Sequence, residues 1–160
     1  MRAILALCGC VVMTAVASAQ QPAPGSATLK SVASSADVTA IVTKLKGQPS
    51  APLRTAPLLQ LDPYRANIEY RIAMPQNAAT HATEAELFYV IDGGATLVTG
   101  GQLVDAQQQN PQNQTAKSIS NGTSQHVTKG DFMLVPEGTP HWFSSVDGSI
   151  TLMSIHLPRK

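Results

Sequence analysis

Chemistry in this chain centres on His141, which ends the stretch Gly130-Asp-Phe-Met-Leu-Val-Pro136-Glu-Gly138-Thr-Pro140-His141. Phe132 to Val135 is a short apolar run and reads as a strand. Pro136, Gly138 and Pro140 forbid both a helix and a continuing ladder, so the chain turns there. His141 opens the next strand. Side chains alternate along a strand, so His141, Phe143 and Ser145 share one face, and Trp142 and Ser144 the other. A stiff Pro/Gly turn therefore delivers an imidazole to the mouth of a hairpin, a place suited to a metal ligand or a base.

The spacing Gly130, Pro136, Gly138, His141 resembles the second motif of the cupin family, with Ser145 where that motif ends in Asn. The family's first motif asks for His, one residue, His, three or four residues, Glu, six residues, Gly. Glu86 and Gly93 match its second half, and His81 fills the slot of the second His. The slot of the first His is then Ala79. The resemblance covers roughly Ala51 to Lys160 and implies a double-stranded β-helix, or jelly-roll, barrel. It also implies a metal set of His81, Glu86 and His141. Two imidazoles and a carboxylate hold a divalent first-row ion on one face and leave the opposite positions open. Fe(II), Mn(II), Ni(II), Cu(II) and Zn(II) all suit such a set. The ion would serve as Lewis acid, activator of water or platform for O₂. With Ala79 in place of a His, a degenerate site without metal is the other reading, His81 and His141 then being polar pocket residues.

The expected substrate-pocket residues are Tyr70, Arg71, Phe88, Phe143, Ser145 and His156. One face of the strand around residue 70 looks into the barrel, so either Tyr70 or the Glu69/Arg71 pair can meet a ligand. Phe88 and Val90 share a face with Glu86 and suit an apolar lining, whereas Tyr89 and Trp142 point the other way, towards a sheet–sheet or subunit contact. His156 shares a face with Ile150, Leu152 and Ser154, either lining the pocket or serving as a hydrogen-bonded strand residue. Glu84, near His81, reads either as a replacement ligand or base or, the favoured reading, as an exposed turn carboxylate, and His126 as an outer strand end.

These residues need a scaffold of short strands. Leu58–Leu61 is one, and 66–73 alternates strictly, with Ile68, Tyr70 and Ile72 on one face. Residues 87–91 are a continuous apolar run. Asp92-Gly93-Gly94 reads as a hairpin turn, 95–98 as the returning strand, and Gly100-Gly101 as a further turn. Residues 102–104, 125–128 and 150–157 complete the strands. Residues 105–124, crowded with Gln, Asn, Thr and Ser, read as a long polar surface loop. Its Asn113 and Asn121 stand in three-letter glycosylation patterns that matter only in a eukaryotic host. Before the barrel, Ser34 or Ser35 caps a short helix in which Val38, Ile41, Val42 and Leu45 form an apolar stripe. Lys44 and Lys46 close its last turn and Gly47 stops it. The stripe packs on the barrel wall or is exchanged between subunits. The fold class is all-β with one short N-terminal helix.

The first nineteen residues read as an export signal: Arg2, an apolar run from Ile4 to Val16, and the small-residue cleavage site Ala17-Ser18-Ala19. Residues 20–50 are then linker and helix, and 51–160 the barrel domain. Cleavage after Ala19 removes both cysteines and Arg2, leaving 11 − 1 = 10 basic and 10 acidic residues, net zero. A periplasmic or secreted chain without cysteine is held by its core or a metal, not by disulfides. Zero net charge gives no support for nucleic acid or an anionic membrane as partner. There is no phosphate loop, G-x-S-x-G elbow or dinucleotide fingerprint. What remains is an exported metalloenzyme acting on a small polar organic molecule by oxygenation, isomerisation or elimination, or a non-catalytic module binding such a molecule. A homodimer is expected, since two-fold dimers are the commonest oligomer.

Overall fold

The computed structural model describes residues 31–159. The expected export signal, residues 1–19, and most of the expected linker lie outside the described residues. One helix, α1 (Ser35–Lys46), is followed by eleven strands: β1 (Leu53–Leu61), β2 (Tyr64–Ile72), β3 (Ala78–His81), β4 (Glu84–Thr99), β5 (Gln102–Val104), β6 (Gln107–Asn110), β7 (Asn113–Ala116), β8 (Ser118–Ser120), β9 (Thr123–Thr128), β10 (Phe132–Val135) and β11 (His141–Pro158). All pairings are antiparallel.

The architecture is a jelly-roll sandwich built on β4 and β11, which pair along nearly their whole length. The first half of β4 also pairs with β10, and its second half with β9. The C-terminal half of β11 pairs with β2, which pairs with β1. At its start, β11 meets β3, which leads on to β7 and β6. The long strands thus pass from one layer to the other. Asp92-Gly93-Gly94 is accordingly not a hairpin turn. It is a bend inside β4, where Gly93 takes φ +83° and the facing segment of β11 loses register between Val146 and Ile150. A Cβ on Gly93 would fall 2.0 Å from the Ser149 carbonyl oxygen, so only glycine lets the strands cross so closely.

The core between the layers holds Phe88, Val90, Leu97, Val127, Val135, Phe143, Val146, Ile150 and Leu152. A second cluster, outside the barrel, joins α1 to β1 and β2 through Leu45, Leu58 and Ile68, with Val38, Ile41, Val42 and Tyr70 against them. The helix therefore packs on the wall of its own barrel. Its start is a capping box: the Asp37 amide donates to the Ser34 hydroxyl oxygen (3.2 Å), and the Ser34 amide to the Asp37 carboxylate (2.8 Å). Arg54 of β1 closes the other end, donating to the Leu45 carbonyl at 2.9 Å.

The polar segment 105–124 is largely strand rather than loop. β6 and β7 form a hairpin whose second arm pairs with β3, and β8 pairs with β5 in a small second sheet. Pattern-reading fails here because β6 is exposed at every position, so no apolar alternation marks it. The small sheet covers a third cluster of Ala78, Val98, Ala116 and Ile119 with Trp142, whose Nε1 donates to the Gln76 carbonyl at 2.9 Å. Trp142 thus serves the sheet–sheet contact.

A candidate metal centre at the end of the barrel

Three histidines converge on one buried carboxylate. Glu86 sits near the start of β4, His81 ends β3, His141 opens β11 and His156 lies near its end. His81 Nε2 is 3.3 Å and His141 Nε2 3.2 Å from Glu86 Oε2, and His156 Nε2 is 3.4 Å from Oε1. The Ser154 hydroxyl donates to Oε1. His81 and His141 of the expected set each contact Glu86, and the group whose ligand atoms lie mutually close contains His156 in place of His141. Among the described residues, His81, Glu86 and His156 offer ligand atoms all within 4.8 Å of one another.

The local folding explains each position. The turn before His141 is docked on β3: the Gly138 amide donates to the His81 carbonyl at 2.7 Å, so one hydrogen bond sets the strand carrying His81 against the turn that delivers His141. His156 pairs directly across from Glu86 in the β11–β4 ladder, the arrangement in which side chains on one face meet. Ser154 and His156 continue the inward face of Ile150 and Leu152.

The distal ring nitrogens fix the proximal ones. His141 Nδ1 lies 3.2 Å from the Thr139 carbonyl oxygen, which can only accept, so Nδ1 carries the hydrogen. His81 Nδ1 is 2.8 Å from Asn113 Oδ1, on β7, and donates to it. Both rings, when neutral, turn a bare Nε2 towards Glu86, the state in which imidazole ligates a metal.

The charges agree with this picture. Burial works against an ionised Glu86, but hydrogen bonds from His141 and His81, the His141 charge and the Ser154 hydroxyl more than offset it and hold its carboxyl well below the usual range. His81 is pushed up: burial opposes its cation, yet the bonds to Glu86 and Asn113 and the charges of Glu86 and Glu84 outweigh burial. His156 is pushed down, first by burial and then by the Arg65 and His81 charges. Three imidazole nitrogens around one carboxylate fit a divalent cation. A divalent ion bound here would be held by Glu86 and the imidazole nitrogens that stand 3.2–3.4 Å from its carboxylate oxygens.

Several expected pocket residues lie elsewhere. Tyr70 is on the outer face of β2 beneath α1, with the Arg54 guanidinium 4.8 Å from its ring centroid. The Glu69/Arg71 pair takes the inner face instead. Arg71 bonds Glu69 Oε2 at 2.8 and 3.0 Å and Gln76 at 3.2 Å, and its guanidinium lies 4.6 Å from the Phe143 ring centroid. Phe88 and Phe143 are fully buried and stacked edge-on, with Phe88 6.0 Å from His141: a floor under that imidazole rather than an open lining. Ser145 is exposed, because β11 loses register between Phe143 and Ser145, so that Val146 rather than Ser145 follows Phe143 into the core. His126 is exposed and pairs with Asp147 at 2.7 Å.

Sequence reading missed Arg65 and Asn113, gave Ser154 only as a face-mate of His156, and favoured an exposed turn for Glu84 over a role at the site. Glu84 is half-buried on the same side of β4 as Glu86. It bonds Arg65 at 2.5 Å and His156 Nδ1 at 3.1 Å. The two-residue spacing from Glu86 is a signal for that position. Asn113 carries none, since its place depends on a hairpin that composition conceals. Arg65, Glu84 and Asn113 line, with Thr83, Asn110 and Gln112, a polar cavity of about 360 Å³. It opens beside the histidines, because Asn113 bonds His81 and Glu84 bonds His156.

Residues 66–156 match the family described as Cupin, and the chain belongs to it. No curated protein matches it in sequence. Similar solved structures include KdgF from Halomonas sp. at 11% identity (71% of this chain, 86% of that one, TM-score 0.50). TT1209 from Thermus thermophilus is similar at 14% identity (74% and 95%, TM-score 0.51). The Cnp3 cupin domain of Schizosaccharomyces pombe is 13% identical (71% and 66%, TM-score 0.48). At such identities the likeness extends to the fold alone.

Proposed function

We propose that this cupin is an exported protein that binds a divalent transition metal through His81, Glu86 and His141 and acts on a small polar organic molecule. The observation that carries the reading is the meeting of three imidazole Nε2 atoms with one buried carboxylate. The metal, when bound, supplies Lewis acidity or activation of a small molecule at its open positions. The chain's own residues do the rest. Thr139 and Asn113 hold the rings of His141 and His81 by Nδ1. Phe88 and Phe143 keep water from the inner side. The polar cavity beside the site suits a small hydroxylated or amide-bearing substrate, since amides and one ion pair line it. Oxygenation, isomerisation and elimination are each compatible with such a centre.

Ala79, in the slot of the family's first motif His, favours a second reading: a metal-free module that binds the same class of molecule. Metal analysis after purification without chelator separates the two. The metalloprotein reading expects about one equivalent of a divalent ion, or its uptake from solution. A protein that arrives empty and takes up none of Mn(II), Fe(II), Ni(II), Cu(II) or Zn(II) is the binding module.

Export rests on Arg2, the apolar run and Ala17-Ser18-Ala19. The expected mature N-terminus is Gln20. Intact mass showing Met1 retained, or a lipid on Cys8 or Cys10, would overturn it. A homodimer is supported by Phe132 and Leu134, exposed at 67% and 61% on one face of β10, with the Tyr89 ring 4.6 Å from that of Phe132. Trp142 is engaged within the chain and drops out of that surface. A sedimentation mass of one chain at micromolar concentration would exclude the dimer.

A further inference from the structure

We infer that His156 supplies a further nitrogen ligand in place of the one lost at Ala79, and that Glu84 is the positioning residue that turns it towards the metal. The inference rests on the metal reading above and assigns two residues to it. Ala79 and His81 share a face of β3, and Ala79 now borders a cavity of about 400 Å³ with Pro52, Arg71, Gln76 and Thr115. No imidazole can come from that strand position. His156 reaches the same carboxylate from the other side, standing opposite Glu86 in the ladder with its Nε2 3.4 Å from Oε1. Its ring centroid is 5.3 Å from that of His81, as is that of His141. Glu86 is thus flanked by three rings, one of which the family's two motifs do not supply.

The other nitrogen of His156 is contested. Nδ1 lies 3.1 Å from Glu84 Oε2 and 3.2 Å from Arg65 Nη2. A carboxylate only accepts and a guanidinium only donates. If Nδ1 donates to Glu84, Nε2 is bare and free to ligate. If Nδ1 accepts from Arg65, Nε2 carries the hydrogen and cannot. Arg65 is itself paired with Glu84, so a bound cation tips the ring to the first arrangement. The carboxylate–imidazole–metal alignment then runs from Glu84 through His156, as outer partners of metal-bound histidines do. His81 and His141 have no such alternative, because their Nδ1 atoms face oxygen acceptors.

The test is metal titration of the full chain with Co(II), read by its visible absorption, together with Cu(II) electron paramagnetic resonance to count coupled nitrogens. Wild type is expected to show three nitrogens. His156→Ala should show two, with affinity falling by more than about 100-fold. Glu84→Gln should lose roughly 10–100-fold, whereas Arg65→Met should lose none. A general loosening of the ion pair would affect both variants alike and would not give that contrast. His126→Ala, an exposed site, should match wild type. Unchanged affinity and three nitrogens in His156→Ala overturn the inference while leaving the metal reading intact. A wild type that binds neither ion overturns both. Should His156→Ala not fold by circular dichroism, Glu84→Gln decides: folded with unchanged affinity, it sinks the inference.

Discussion

Gly138 and His81 are joined amide to carbonyl at 2.7 Å, and that bond locks the turn before His141 to the strand that carries the second imidazole. Gly138 holds φ +70°, and a Cβ there would meet nothing within 4 Å. Gly138→Ala therefore tests conformation without a clash. The left-handed backbone costs a non-glycine residue roughly 1–2 kcal/mol, and relief of that strain would shift the amide off His81. The expected outcome is a loss of about that size in urea denaturation, with weaker metal binding as well. Lost stability with unaltered metal affinity would show that the turn does not position the site.

Metal removal should be visible in melting. An ion at about 100 times its dissociation constant stabilises the fold by roughly 2.7 kcal/mol, so a chelator should lower Tm. His141→Ala should abolish that sensitivity. Ala79→His should raise affinity, because it restores the family motif's imidazole on the face of β3 that also carries His81. Opposite signs from the two substitutions are not a generic packing effect. A melting curve indifferent to chelator, with no metal gained by Ala79→His, would count against a metal centre.

Much of this site was legible, for a definable reason. The turns beside His141 and Glu86 are local Pro and Gly signals, but that His81, Glu86 and His141 meet was implied by the resemblance to the cupin motifs and rests on the pairing of β11 with β3 and β4. Stripe, cap and stop were equally plain for α1, since each is a local signal. What was not legible depends on long-range register. The β11 bulge that exposes Ser145 arises from pairing with β4, and the Asp92-Gly94 bend from the crossing of β11 over the same strand. Tyr70 and Arg71 alternate perfectly in sequence, but which of them faces inward was settled by α1 packing on the Tyr70 side.

The acid and base limits should differ between metal-free and loaded protein. His81 is raised above its ordinary 6.5, so its charged form favours folding. That contribution is full below about pH 6.5 and is lost as pH rises through the raised value. His156 is lowered, so the native state resists its protonation and loses stability as pH falls below 6.5. Glu86 is depressed, so its contribution is present above the ordinary 4.5 and is lost as pH falls below that. In metal binding, protons compete at His81 Nε2, and with its affinity for protons raised the competition begins above 6.5. At limiting metal, occupancy should decline from above that pH; a decline confined to pH 5 and below would contradict the role given to His81.

The buried pair beneath the site should be costly to break and cheap to replace. Glu69 and Arg71 are each less than a tenth exposed and bond one another at 2.8 and 3.0 Å. Gln76 accepts from Arg71 at 3.2 Å, and its own amide nitrogen donates to the carbonyls of Pro52, Ile72 and Met74. Arg71→Met removes the cation, leaves Glu69 charged and buried, and is expected to cost about 3–5 kcal/mol. Glu69→Leu combined with Arg71→Met removes both charges and keeps apolar volume over Phe143. Most of the loss should then return, because the desolvation of two ions no longer has to be offset. Urea denaturation of the single and double variants reads the difference. If the double variant is as unstable as Arg71→Met alone, the pair acts through the shape of its hydrogen-bond network, and the unpaired charge is not what makes the single change costly.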